Sequence, residues 1–180
     1  MSQTIKNGDE VVYKGHITLV KRPYLKKNFD VVLSKDACAI MYIDEQDDVY
    51  FVEQYRPAVG KKILELPAET LDKNGKSPLE HAIEGLVEEC GIIISPSQVK
   101  YVGTIGSSEG HDSEMVYLYT ANGPHKKTLP RPGNYERIDV VKLKFDQAYR
   151  MFKEGKINGS KSAILLQHEY IKRLEKRCFR

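Results

Sequence analysis

The chain has 180 residues, 41% hydrophobic and 29% charged, a balance that excludes disordered, collagenous and membrane compositions. At roughly 150 residues per domain, this length predicts one domain over residues 1–180 with a full core. The net charge of +3 comes from 28 basic and 25 acidic residues, and the excess gathers in KRLEKRCFR, residues 172–180. That strip reads as the solvated face of a helix, so nucleic acid is not the expected partner.

No run approaches the ~20 apolar residues of a membrane span, and MSQTIKNGDEV lacks the apolar stretch of a signal peptide, so a cytoplasmic location and no membrane partner are expected. Cys38, Cys90 and Cys178 have no CxxC spacing, which argues against disulfides and thiolate metal sites. Cys38 and Cys90 fall in apolar patterns and are expected in the core.

The amino-terminal third reads as β. EVVYKGHITLV, from Glu10, predicts a hairpin interrupted at Gly15, and FDVVL, from Phe29, a further strand. ACAIMYI from Ala37 and VYFVEQY from Val49 flank an acidic turn, 44–48, the pattern of a hairpin with at least one buried strand. ILEL, 63–66, is a short strand stopped by Pro67, and the polar segment AETLDKNGKS is expected as loop.

Ser77, Pro78 and Glu80 give a helix start: a capping hydroxyl, proline at the first helical position and an acid in the first turn. The helix is predicted from Pro78 to Cys90, ending at Gly91. At about 100° per residue, Leu79, Ala82, Ile83, Leu86 and Cys90 share one side, and Glu80, Glu84, Glu88 and Glu89 are expected on an open acidic face. VKYVGTI from Val99, EMVYLYTA from Glu114 and RIDVVKLKF from Arg137 are further strands, followed by helices over about 146–154 and 160–177.

LELPAETLDKNGKSPLEHAIEGLVEECGI, residues 64–92, resembles a Nudix box, the strand-loop-helix-loop signature of hydrolases that cleave a nucleoside diphosphate linked to another group. EQYRPAV, 53–59, and SSEGHDSEMVYLYTA, 107–121, are similar to the flanks of the ADP-ribose and nucleotide-sugar pyrophosphatase branch. The resemblance spans roughly residues 37–165. It implies an α/β fold, a Nudix-type α/β/α sandwich with a mixed sheet. Residues 1–36 would form an amino-terminal β extension that meets a second subunit in a homodimer, and 37–180 the core.

The implied activity is hydrolysis of the pyrophosphate bond of ADP-ribose, or of a uridine- or guanosine-diphosphate sugar, to nucleoside monophosphate and sugar phosphate. Such chemistry needs a divalent cation, Mg2+ or Mn2+, to neutralise phosphate charge and orient water. The resemblance puts Glu88, Glu89 and the Ala68 carbonyl on the metal, and Glu114, with Glu109 next, as the base that activates water. Arg56 is the choice for a substrate phosphate, its planar fork suited to bidentate contact, with Glu65 beside it as a substrate-binding candidate; the alternative reading of Arg56 is a surface ion pair with Glu65. Tyr24, Tyr55 and Tyr101 are candidates for stacking on a base.

The box departs from the family at four positions. Glu69 stands for a glycine, Lys76 for a glutamate, and Glu84-Gly85 for Arg-Glu in mid-helix. The glutamate that Gly85 replaces is ordinarily a metal ligand, and Glu84, one turn before Glu88, or Glu69 from the loop could substitute. Two alternatives stand beside the enzyme: a Nudix-fold nucleotide- or RNA-binding module that has lost hydrolysis, and a scaffold that uses the basic tail.

Overall fold

A computed structural model describes residues 4–131, 133 and 137–178. In chain order the strands are β1 (Glu10–Lys14), β2 (Thr18–Tyr24), β3 (Lys27–Leu33), β4 (Ala37–Ile43), β5 (Asp48–Arg56), β6 (Lys61–Glu65) and β7 (Ala68–Thr70). Helix α1 (Pro78–Cys90) is followed by β8 (Ile92–Ile93), β9 (Val99–Gly106), β10 (Met115–Asn122), β11 (Lys126–Lys127) and β12 (Ile138–Lys144), then α2 (Phe145–Lys153) and α3 (Ser160–Cys178).

Every side chain of β4 is buried, because both faces of this strand are covered. Ala37, Ala39, Met41 and Ile43 pack with Phe51, Leu118 and the α2–α3 residues Phe145, Ala148, Leu165 and Leu166. Cys38, Ile40 and Tyr42 point the other way, onto Ala82, Leu86 and Cys90 of α1. Period-2 alternation on one strand thus feeds two cores, and the result is an α/β/α sandwich. Burial pushes the Cys38 and Cys90 thiols up to about 12, so both are inert apolar fillers at neutral pH.

The central sheet is mixed, in the order β12-β5-β4-β10-β9, with β4 and β10 parallel. β4 and β5 pair only at Ile43 and Val49, next to their turn. Beyond it they part. β6 pairs with β5, β7 pairs with β4, and the Pro67 carbonyl between them accepts the Ile40 amide at 3.0 Å. β7 falls in the stretch expected as loop; its three residues are polar or small, so strand pairing alone, not periodicity, defines it.

α1 has the predicted bounds. Ser77 and Glu80 form a reciprocal capping box, Pro78 takes the first turn, and Gly91 closes the helix at φ 67°, a left-handed conformation that glycine adopts without strain. The acidic face is less open than expected: Glu89 is buried, as is His81.

α3 is tied to the sheet at both ends. The Leu66 amide donates to the buried Ser162 hydroxyl at 3.0 Å. The Arg173 guanidinium lies 3.8 Å over the Phe145 ring, donates to both oxygens of Asp47 at 2.6 and 3.0 Å, and pairs with Glu169. Lys172 also pairs with Glu169, so two cations of the basic tail are engaged within the helix; Phe179 and Arg180 lie outside the described residues, as do residues 1–3 of the amino-terminal segment.

β1, β2 and β3 form a separate antiparallel sheet that joins the core through Val32, whose amide donates to the His111 carbonyl and whose carbonyl accepts from Ser113. Across it, Arg22 makes two bonds to Asp9, at 2.9 and 2.7 Å. The Arg22 guanidinium holds the Asp9 carboxyl down from its ordinary 3.8 to about 2. The depressed value means that this pair stabilises the sheet above about pH 4, and that the contribution is lost as pH falls towards about 2. The protection of the β1–β3 amides against hydrogen exchange, relative to the intrinsic rate at each pH, should therefore fall over that interval in the native chain. The Asp9→Asn variant should lose that portion of the pH dependence.

Candidate active site

Where β4 and β5 part, a cavity of about 930 Å³ opens at the sheet end. Its walls come from the end of β5 (Gln54, Arg56), from β6 and β7 (Glu65, Ala68, Glu69) and from α1 (Gly85, Glu88, Glu89). Glu114, at the start of β10, and Lys161, at the start of α3, complete the acidic and basic lining. Seven of the residues the sequence singles out thus lie together: Arg56, Glu65, Ala68, Glu69, Glu88, Glu89 and Glu114.

Two candidates lie elsewhere. Glu109 is exposed in the 107–114 loop and folded against Gly106, and Glu84 is taken by Lys76 and Lys73 outside the cavity lining. Tyr24, Tyr55 and Tyr101 are all exposed, and none of the three lines the cavity. Arg56 makes the ion pair of the alternative reading, its Nε donating to Glu65 Oε1 at 2.7 Å, while both residues line the cavity.

Glu69 stands opposite Cys38 in the β7–β4 pairing, and cross-strand partners share a face, so its side chain turns towards α1. It arrives over Gly85. A Cβ built there would stand 3.1 Å from Glu69 Oε2 and 3.3 Å from Glu69 Cβ. Glu69 Oε2 is buried without a hydrogen-bond partner, and Oε1 takes the Lys73 ammonium at 2.7 Å. Burial pushes the Glu69 carboxyl upward, Lys73 pulls it back, and Glu88 and Glu84 add to the rise.

Lys73, which the sequence reading passes over, sits among three carboxylates: Nζ is 2.7 Å from Glu69, 3.1 Å from Glu84 and 3.2 Å from Glu88. Partial burial draws the ammonium down, but these three contacts outweigh it and the net shift is upward, so the group is charged at any physiological pH. Among the described residues no group of three or more His, Cys, Asp or Glu is arranged to hold a metal ion; Glu69, Glu84 and Glu88 converge on this ammonium. The donor chemistry does suit a hard cation: carboxylates of Glu69, Glu88 and Glu89 with the Ala68 carbonyl line one cavity, and Glu69 Oε2 has a lone pair to offer.

His81, also passed over, fixes the loop that carries Lys73. Its Nδ1 lies 3.1 Å from the Ser77 carbonyl and its Nε2 accepts the Lys73 amide at 3.2 Å, an assignment that requires the neutral ring with the proton on Nδ1. The i, i+4 spacing from Ser77 to His81 is the only trace of this in the sequence. Lys73 leaves none, since β7 and the loop after it decide where the side chain returns.

Comparison with known proteins adds the family. The chain is 32% identical over 140 residues to a methanol dehydrogenase activator of Bacillus methanolicus, covering 77% of this chain and 74% of that protein. The chain belongs to the Nudix family. It is also 28% identical to an ADP-ribose pyrophosphatase of Mycobacterium tuberculosis, over 73% of this chain and 65% of the relative, and 28% identical to a GDP-mannose pyrophosphatase of an Enterobacter species, over 79% and 81%. No family model matches. No helix among the described residues is long and apolar enough to cross a membrane.

Against the Nudix box, the four departures are not scattered. Glu69 packs on Gly85 and pairs with Lys73, Lys73 pairs with Glu84, and Glu84 pairs with Lys76. They form one connected cluster, held by the His81 clasp. Replacing His81 by Leu, closer to it in volume than Phe, leaves the Lys73 amide and the Ser77 carbonyl without the ring as partner; chemical denaturation should register a loss of about 1–3 kcal/mol.

Proposed function

We propose that the protein hydrolyses the pyrophosphate bond of ADP-ribose or a related nucleoside diphosphate sugar, with Mg2+ or Mn2+ as the cofactor. The observation that carries this reading is the cavity in which Glu69, Glu88, Glu89 and Glu114 face Arg56 and Lys161. The carboxylates suit a cation, and the two basic residues on the same walls could meet the negative charge of a diphosphate. The pyrophosphatase relatives in Mycobacterium tuberculosis and Enterobacter support the substrate class.

Glu88, Glu89, Glu69 and the Ala68 carbonyl would hold the ion, which when bound neutralises the diphosphate and lowers the pKa of water. Arg56, oriented by Glu65, binds a phosphate oxygen with its fork. The Glu114 carboxylate accepts the proton of the attacking water; its backbone amide is held by Asp112 at 3.0 Å, which anchors the loop end that carries it.

A second reading, a nucleotide-binding module without turnover, is favoured by Lys73, whose ammonium supplies a positive charge among the acids. The activator relative is compatible with either. Purified protein incubated with ADP-ribose and Mg2+ should release AMP and ribose 5-phosphate, and chelation should stop it; GDP-mannose and a UDP-sugar tested alongside identify the base. The Glu114→Gln variant should lower kcat by about 10²–10⁴-fold. Absence of turnover at high enzyme concentration, with metal-independent nucleotide binding by calorimetry, would replace the enzyme by the module.

We also propose a homodimer that meets through β1–β3, where Val11, Val12, Tyr13 and Phe29 are exposed. Light scattering should give twice the chain mass of 20.5 kDa, and Val12→Asp with Phe29→Asp should return it to one.

A further inference from the structure

We propose that Glu69 is a cation ligand delivered by β7 through the gap at Gly85, and that Lys73 is a resident counter-cation that any divalent ion has to displace. The inference rests on the reading of the cavity as a metal-dependent site, and it names which residues of this chain set the affinity.

The gap comes first. Gly85 is buried in mid-helix, where glycine costs about 1 kcal/mol relative to alanine, so its presence calls for a packing reason. The reason is steric. The space a side chain at 85 would enter is filled by Glu69, whose Cβ, Cδ and Oε2 come within 3.3, 3.9 and 3.1 Å of a built Cβ. A Cβ at 85 already requires Glu69 to give by a few tenths of an ångström, and a longer side chain would compete with the carboxylate for the same space.

The carboxylate delivered there is half used. Oε1 holds the Lys73 ammonium, whereas Oε2 is buried and has no partner. A buried acceptor with nothing to accept from is costly, and a cation entering between β7 and α1 would satisfy it. Lys73 Nζ marks where positive charge is favoured, since it bonds carboxylates from both elements, Glu69 on β7 and Glu88 on α1. Lys73 lies in the loop after β7, three residues past its end, and is a third exposed, so its side chain can swing to solvent when a divalent ion takes the position. An ammonium brings one charge and a divalent ion two, so exchange favours the ion once its hydration is replaced by the carboxylates of Glu69, Glu88 and Glu89, the Ala68 carbonyl and water.

The test is Mn2+ binding to full-length, nucleotide-free protein, followed by the paramagnetic resonance signal of free Mn2+, with thermal melts to show that each variant is folded. Lys73→Met should bind Mn2+ about tenfold more tightly than the native chain. Glu69→Gln should bind it about 10–100-fold more weakly, as loss of a metal-site group does elsewhere. Gly85→Glu should weaken binding by displacing Glu69, and combining it with Glu69→Gly should restore it, since the carboxylate then enters from the helix. Unchanged affinity in Glu69→Gln, weaker binding in Lys73→Met, or no Mn2+ binding by the native chain overturns the inference. The two proposals fail separately: Mn2+ binding that follows this pattern without hydrolysis removes the enzyme reading alone, and hydrolysis with an indifferent Glu69→Gln removes the ligand assignment alone.

Discussion

Two strands that share hydrogen bonds at one end and part at the other are the constraint from which the site follows. β4 and β5 are joined at Ile43 and Val49, and their divergence admits β6, Pro67 and β7. That wedge brings Glu65, Ala68 and Glu69 alongside α1, which no hairpin closed along its length would do. It also gathers negative charge. Two carboxylates 4 Å apart repel by about 4 kcal/mol at an effective dielectric constant of 20, so three on adjoining elements need a cation to coexist. Lys73 meets that need in the protein itself.

The elements were largely legible because their signals are local. Ser77, Pro78, Glu80 and Gly91 bracket α1 by capping chemistry that does not depend on the rest of the chain, and the structure places the helix at those bounds. The strands β4 and β10 announce themselves by unbroken apolar runs. β7 escaped because three residues, one of them a glutamate, carry no period, and its pairing with Ala37–Ala39 is a long-range event.

The site was legible as a set of acids and a loop, not as a network. Glu88, Glu89, Ala68 and Glu114 were found by resemblance and do line one cavity. Glu84 belongs to two lysines instead, because its place on α1 turns it towards Lys76 and Lys73. Glu89 was expected in the open; helical arithmetic puts it next to Cys90 on the covered side as readily as next to Glu88. Lys73 and His81 could not be recovered from spacing, since one is placed by a loop and the other acts on that loop. The departures from the box become intelligible only when their contacts are known: what reads in one dimension as four unrelated losses is in space a single rearranged group.

The clasp of Arg173 on Asp47 and Phe145 has a mechanical consequence. α3 starts beside the cavity, where Lys161 lies on its wall and Ser162 receives the Leu66 amide, and Arg173 is eleven to twelve residues further on, a rod of about 17 Å at 1.5 Å per residue. One end of that rod is moored to the strand connector of the site and the other to the turn at the opposite tip of the β4–β5 hairpin. The turn 44–48 and the wall of the cavity are thus attached to one helix, a little over three turns apart.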